Sequence, residues 1–223
     1  VQIRVALHAV FHDHSRHESI LNMKMSALDR VLLLTTVLLS AYQIVVGIDD
    51  LSTAPIIAYT IAFGVLLVAG LLLIILGFDV LESPIVVIVS TIIPLTLSLG
   101  LVWQHLASYR TVYLVFTIIG FAAVTLTRSI PMQNKLPVIT IAITHGIAGI
   151  TIFLLPIILS AQGQMNPLFS LVGIGGALIG IGGLLLSFLK TGKPILSRDT
   201  IMRLFPILLL LTTAFFVAGF KFG

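Results

Sequence analysis

Seven long apolar runs, almost free of charge and separated by short polar breaks, constrain this chain more than anything else in it. Only 9% of its 223 residues are charged and 58% are hydrophobic, with a mean hydropathy of +1.20. A water-soluble core of this size has no use for that much apolar surface, so the solvent implied for most of the chain is lipid. A hydrocarbon core about 30 Å thick takes roughly 20 residues of helix. Segments near 26–47, 54–77, 83–105, 109–127, 136–160, 167–190 and 200–220 meet that length. They are too long for strands and lack alternation of period two, and lipid admits only helices or closed barrels. The expected fold is a single all-α bundle of seven transmembrane helices spanning 23–223.

The breaks carry turn and cap chemistry: Asp49-Asp50, Asp79 to Pro84, Arg128 to Pro137, Gln162 to Pro167 and Lys190 to Asp199. Asp29-Arg30 reads as a helix start with an anchoring cation, and Asp79 and Glu82 as the acidic approach to a helix with Pro84 in its first turn. Lys and Arg fall unequally on alternate breaks. Arg4, Arg16, Lys24, Arg30, Arg128, Lys135, Lys190, Lys193, Arg198 and Arg203 share one side, against Arg110 and Lys221 on the other. The positive-inside rule then places the N-terminus in the cytoplasm and the C-terminus outside. The formal charge of +4 thus reflects membrane orientation, and no nucleic-acid partner is expected.

Residues 1–22 differ from the rest. They hold four of the six histidines, His8, His12, His14 and His17, and no long apolar run. No signal peptide is recognisable in them. One expectation is that this segment is an over-extended reading frame and that the native start is Met23 or Met25. The alternative is an interfacial helix with Ile3, Leu7, Val10 and Phe11 at helical spacing. His12, Asp13, His14 and His17 have no fixed scaffold around them, so no metal site is expected there.

Four features could carry function. Gly173, Gly176, Gly180 and Gly183 repeat at steps of three and four in the sixth span and form a groove on one face, with Gly176 and Gly180 as a GxxxG pair. Such a groove lets another helix backbone approach closely, within the chain or from a second copy or partner. His145 is the one ionisable side chain clearly inside a span, beside Thr140, Thr144 and Thr151. Its ordinary role is an interhelical hydrogen bond; its functional role would be a ligand contact or proton relay. Tyr42, Tyr59, Trp103, Tyr109 and Tyr113 gather towards one side of the membrane with Gln43, Gln104 and His105. They read as an interfacial anchor, or as the rim of an outward cavity in which Gln43, Tyr59, His105 and His145 contact a ligand. Pro94 sits mid-span and frees the carbonyl of Ser90, with Ser90, Thr91, Thr96 and Ser98 near enough to reclaim backbone groups.

Several chemistries lack their residues. There is no cysteine, hence no thiolate ligand or nucleophile. The last span has no lysine for a retinal Schiff base, Lys221 being at its very end. His105 and His145 differ in depth and do not suit bis-His haem. No metalloprotease, lipase or phosphate-loop motif occurs, and the glycines of the sixth span are not a dinucleotide fingerprint, because no strand precedes them. No cofactor and no catalytic residue are expected. The expected function is a non-catalytic membrane subunit, assembly or scaffold protein that works through helix packing, alone or with a membrane partner. The alternative is a carrier or binder of a small apolar or lipid-like molecule. Short loops point to a prokaryotic plasma membrane.

Overall fold

The computed structural model describes residues 25–48, 51–130, 132, 134–190 and 194–223. Seven helices follow one another: α1 (Ala27–Val46), α2 (Thr53–Leu76), α3 (Pro84–His105), α4 (Arg110–Ser129), α5 (Leu136–Ala161), α6 (Ser170–Lys190) and α7 (Arg198–Phe222). Each coincides with an expected span, the ends agreeing to within three residues. All seven are long and apolar enough to cross a membrane, which suits a multi-pass membrane protein. No strand occurs among the described residues. The segment 1–22, with its two readings, lies outside them.

The ends form for local reasons. Ser26 and Asp29 make a reciprocal capping box on α1: the Asp29 amide donates to Ser26 Oγ at 3.1 Å, and the Ser26 amide donates to Asp29 Oδ2 at 2.9 Å. Ser197 Oγ accepts from the Thr200 amide at the start of α7, and Pro84 occupies the first turn of α3 after a 3-10 turn over Phe78–Glu82. Gly47 and Gly77 close α1 and α2 at φ 70° and 78°, a left-handed backbone that side chains resist. Replacing Ser26 by Ala removes one half of the box. A loss of about 1 kcal/mol is expected, read as a lower thermal midpoint in detergent.

Neighbours in sequence are neighbours in space, and α7 returns to pack on α1, closing a ring. α3 departs from this order by touching α5 as well as α2 and α4. The core is densest in one half of the bundle, where α1 and α3 end and α2 begins. Tyr59 and Phe63 of α2 meet Phe216 and Phe220 of α7 there, with ring centroids 4.7 to 6.5 Å apart. Phe169, just before α6, continues the cluster to Phe220 at 6.3 Å. This half is called the aromatic end below; the opposite half carries Arg30, Arg128, Lys135, Arg198 and Arg203 and is called the basic end.

Most buried hydroxyls are paired locally, Thr212 Oγ1 being an exception without a partner among the described residues. Buried hydroxyls donate to carbonyls one turn back: Ser40 to Thr36, Thr91 to Val87, Thr127 to Ala123, Thr213 to Leu209. In lipid an unpaired hydroxyl costs more than in water-exposed loops, and the helix's own carbonyl is the nearest acceptor. Around Pro94, Ser98 Oγ donates to the Pro94 carbonyl at 2.6 Å and Ser90 Oγ to Val87. These hydroxyls therefore serve other turns than the Ser90 carbonyl that Pro94 releases.

Candidate functional site

The residues expected to share an outer ligand cavity fall in different places. Tyr59 is 3% exposed, wedged against Phe220, and its hydroxyl donates to Gln104 Oε1 at 3.1 Å. Gly100 of α3 exists for this ring: a Cβ there would collide with three Tyr59 ring carbons. Gln43 turns its amide to the Gly47 carbonyl at 2.9 Å, capping its own helix. The hollow beside Gln43, Tyr59 and Phe63 measures about 20 Å³, room for about one water. His105 packs at a tilt against Phe169, with ring centroids 5.3 Å apart, and its Nε2 is buried without a hydrogen-bond partner among the described residues. Tyr42 and Tyr109 stand exposed on the outside of the bundle, and the Arg110 guanidinium lies 5.9 Å from the Trp103 ring. The aromatic end is thus a plug with an interfacial fringe.

His145 lies far from the other three. Its Nδ1 is 3.2 Å from the Ile141 carbonyl on its own helix. A carbonyl only accepts, so Nδ1 carries the proton and Nε2 of the neutral ring is an acceptor. The interhelical bond in this region belongs instead to Tyr113, whose hydroxyl donates from α4 to Thr151 Oγ1 of α5 at 3.1 Å.

The four glycines of α6 divide into two pairs. A Cβ at Gly173 would sit 2.5 Å from the Phe153 carbonyl oxygen, and one at Gly176 would sit 2.6 Å from Ile152. Towards the aromatic end, then, α6 lies directly against α5. One and two turns further along the same face, Gly180 and Gly183 have nothing within 4 Å of that position, and both are exposed. The facing side of α5 shows the same change. Gly149 and His145 continue the face of Ile152 at steps of three and four, and Gly149 and Gly146 also have nothing within 4 Å. The glycines of the two helices are closely packed at the aromatic end and have no such neighbours towards the basic end among the described residues.

Towards the basic end these glycine faces are therefore open among the described residues. α3 loosens over the same depth: Val86 through Ser90 are all half-buried, whereas Leu95, Leu97, Ser98 and Leu101 beyond Pro94 are sealed. Leu184 and Ser187 extend the exposed α6 wall. Arg128, in the last turn of α4, completes the region. Its Nε is buried with no hydrogen-bond partner among the described residues. In the sequence Arg128 bears only on orientation; that its Nε is buried was not legible there. No group of three or more metal-ligating side chains is found among the described residues.

Comparison with protein-family models, with curated proteins and with solved structures gives no match for this chain.

Proposed function

We propose that the protein binds or carries a lipid-like amphiphile in a crevice along the uncovered glycines of α5 and α6, with the aromatic end acting as a fixed plug. The observation that carries this reading is the row of glycines on α5 and α6 that no described residue covers. Glycine in a helix costs about 1 kcal/mol relative to alanine. Gly173 and Gly176 recover that cost through close backbone packing, while Gly146, Gly149, Gly180 and Gly183 make no such contact with the described residues. An acyl chain lying in the crevice would supply the missing dispersion contacts. His145 supplies a polar group at mid-depth, roughly 14 Å into α5 at 1.5 Å per residue.

A second reading rests on the same uncovered glycines: a helix of another copy or of a membrane partner packs there, and the protein is an assembly subunit. In either case we take the N-terminus as cytoplasmic, from the excess of Arg and Lys at the basic end, and the membrane as a prokaryotic plasma membrane.

Native mass spectrometry of the detergent-purified protein separates the readings. A stoichiometric lipid-sized adduct that falls about tenfold in Gly180→Leu and in His145→Phe supports the binder. An adduct-free homo-oligomer or heteromer, dissociated by Gly180→Leu and indifferent to His145→Phe, rejects the binder and supports the subunit.

A further inference from the structure

We infer that residues 78–90 form an arm that swings about the turn of α3 at residues 90–94 and opens the basic end of the bundle while the aromatic end stays shut. This goes beyond the binder reading and does not depend on it.

The joint lies at Pro94. It has no amide hydrogen to give the Ser90 carbonyl, and its ring crowds that carbonyl. Sharp bends in helices gather at such prolines. The hydroxyls around it weaken the ladder further. Ser90 Oγ and Thr91 Oγ1 both donate to the Val87 carbonyl, at 3.1 and 2.7 Å. Thr96 Oγ1 donates to the Ile92 carbonyl at 2.7 Å, and Ser98 Oγ to the Pro94 carbonyl at 2.6 Å. A hydroxyl that shares a carbonyl one turn back bends a helix slightly, and here such bonds crowd about one proline.

Packing changes at the same turn. None of residues 84–90 is buried, and every buried residue of α3 lies from Thr91 onward. The half beyond Pro94 is pinned. Gly100 holds the Tyr59 ring against its backbone, the Tyr59 hydroxyl donates to Gln104, and Arg110 Nε donates to the Trp103 carbonyl at 2.6 Å. The half before Pro94 has no such tie. Its hydroxyls turn to its own Val87, and no side-chain hydrogen bond joins residues 84–90 to another helix among the described residues. Segments with few buried contacts are the ones that open first.

The other end of the arm has its own joint and a latch. Gly77 sits at φ 78° with nothing within 4 Å of a Cβ position, a backbone free to turn. Next to it, Phe78 is 5% exposed and belongs to the core; it alone is buried among the described residues of 78–90. α3 touches α2, α4 and α5, so an outward swing of the arm parts these helices at the basic end and admits a molecule from that side. The Tyr59, Phe63, Phe216 and Phe220 cluster lies on the far side of the pivot and keeps its packing. A few residues that absorb the backbone rotation are enough for such a hinge.

The test uses the whole chain in lipid nanodiscs. It has no cysteine, so introduced pairs can be spin-labelled and their separation read by pulsed electron paramagnetic resonance. Ile85→Cys with Val138→Cys, both at exposed positions, reports the basic ends of α3 and α5. Ala107→Cys with Gln162→Cys, also exposed, reports the aromatic end. The basic-end distances should split in two or spread at least twice as widely as those at the aromatic end. Pro94→Ala should narrow them to the aromatic-end width. Phe78→Ala should shift their weight to the longer separation and leave the aromatic-end pair unchanged. A basic-end distribution as narrow as the aromatic-end one overturns the inference, as does breadth that survives Pro94→Ala. No shift in Phe78→Ala overturns it too, and so does a broadening of both pairs in that variant, because the aromatic end would then not be independent of the arm.

Discussion

Gly173→Leu should fail to yield a stable bundle, whereas Gly180→Leu, two turns along the same face, should fold at least as well as wild type. At Gly173 the new Cβ would meet a backbone oxygen, the Phe153 carbonyl, at 2.5 Å, with Ile157 at 2.8 Å behind it. A backbone carbonyl inside a helix cannot rotate aside, so α5 and α6 would have to separate along their closest contact. Overpacking costs typically 1–3 kcal/mol and more where nothing yields; a rigid helix pair lies at or above the upper end. At Gly180 nothing lies within 4 Å, and replacing glycine in a helix returns up to about 1 kcal/mol. Thermal melts of the two variants in one detergent would show the contrast. Equal midpoints would mean that α5 and α6 do not meet as described.

Tyr59→Ala should be the most damaging truncation in the aromatic end. The ring is 3% exposed and fills the space between Phe220 and Gly100. Removing a buried aromatic ring costs about 3–5 kcal/mol, because the neighbours collapse only partly into the cavity. In lipid the surrounding solvent is as apolar as the core, so packing contacts make up most of what is lost. Tyr59→Phe keeps the ring and loses only the bond to Gln104, worth about 0.6 kcal/mol on the average for polar pairs in membrane helices. A Phe variant as unstable as the Ala variant would transfer the importance of this residue from its ring to its hydroxyl. The comparison also bears on ligand binding, since the binder reading assigns the crevice no role for Tyr59. Tyr59→Phe should therefore leave lipid retention unchanged.

The four residues expected around one ligand were chosen by polarity and by the side of the membrane on which each lay. Those criteria find Gln43, Tyr59 and His105 at one end, but they do not tell a group that faces a cavity from one that closes it. Tyr59 reaches Gln104 across α2 and α3, a pairing that depends on how those two helices are set against one another, while Gln43 turns back to Gly47 at the end of its own helix. Arg128 was legible as a cation at a helix end. That its Nε is buried depends on the tilt of α4 against α5. Gly100 and Gly219 carried a signal that was available in the chain, single glycines inside long apolar spans, yet each gains meaning only from the Tyr59 ring or the Val172 backbone set against it.

What the sequence determined by itself was whatever depends on a single helix and its solvent. Span lengths follow from bilayer thickness, helix starts from Ser26, Pro84 and Ser197, and helix ends from Gly47 and Gly77. Only the tertiary structure decided which faces meet, that α7 closes on α1, that α3 reaches α5, and that half of the α6 glycine row is left uncovered. The reason is physical. In water, an apolar stripe marks the face a helix will bury. In lipid both faces are apolar, so the periodicity that would point each helix at its neighbours is nearly erased, and the choice falls to the fit of side chains against small residues.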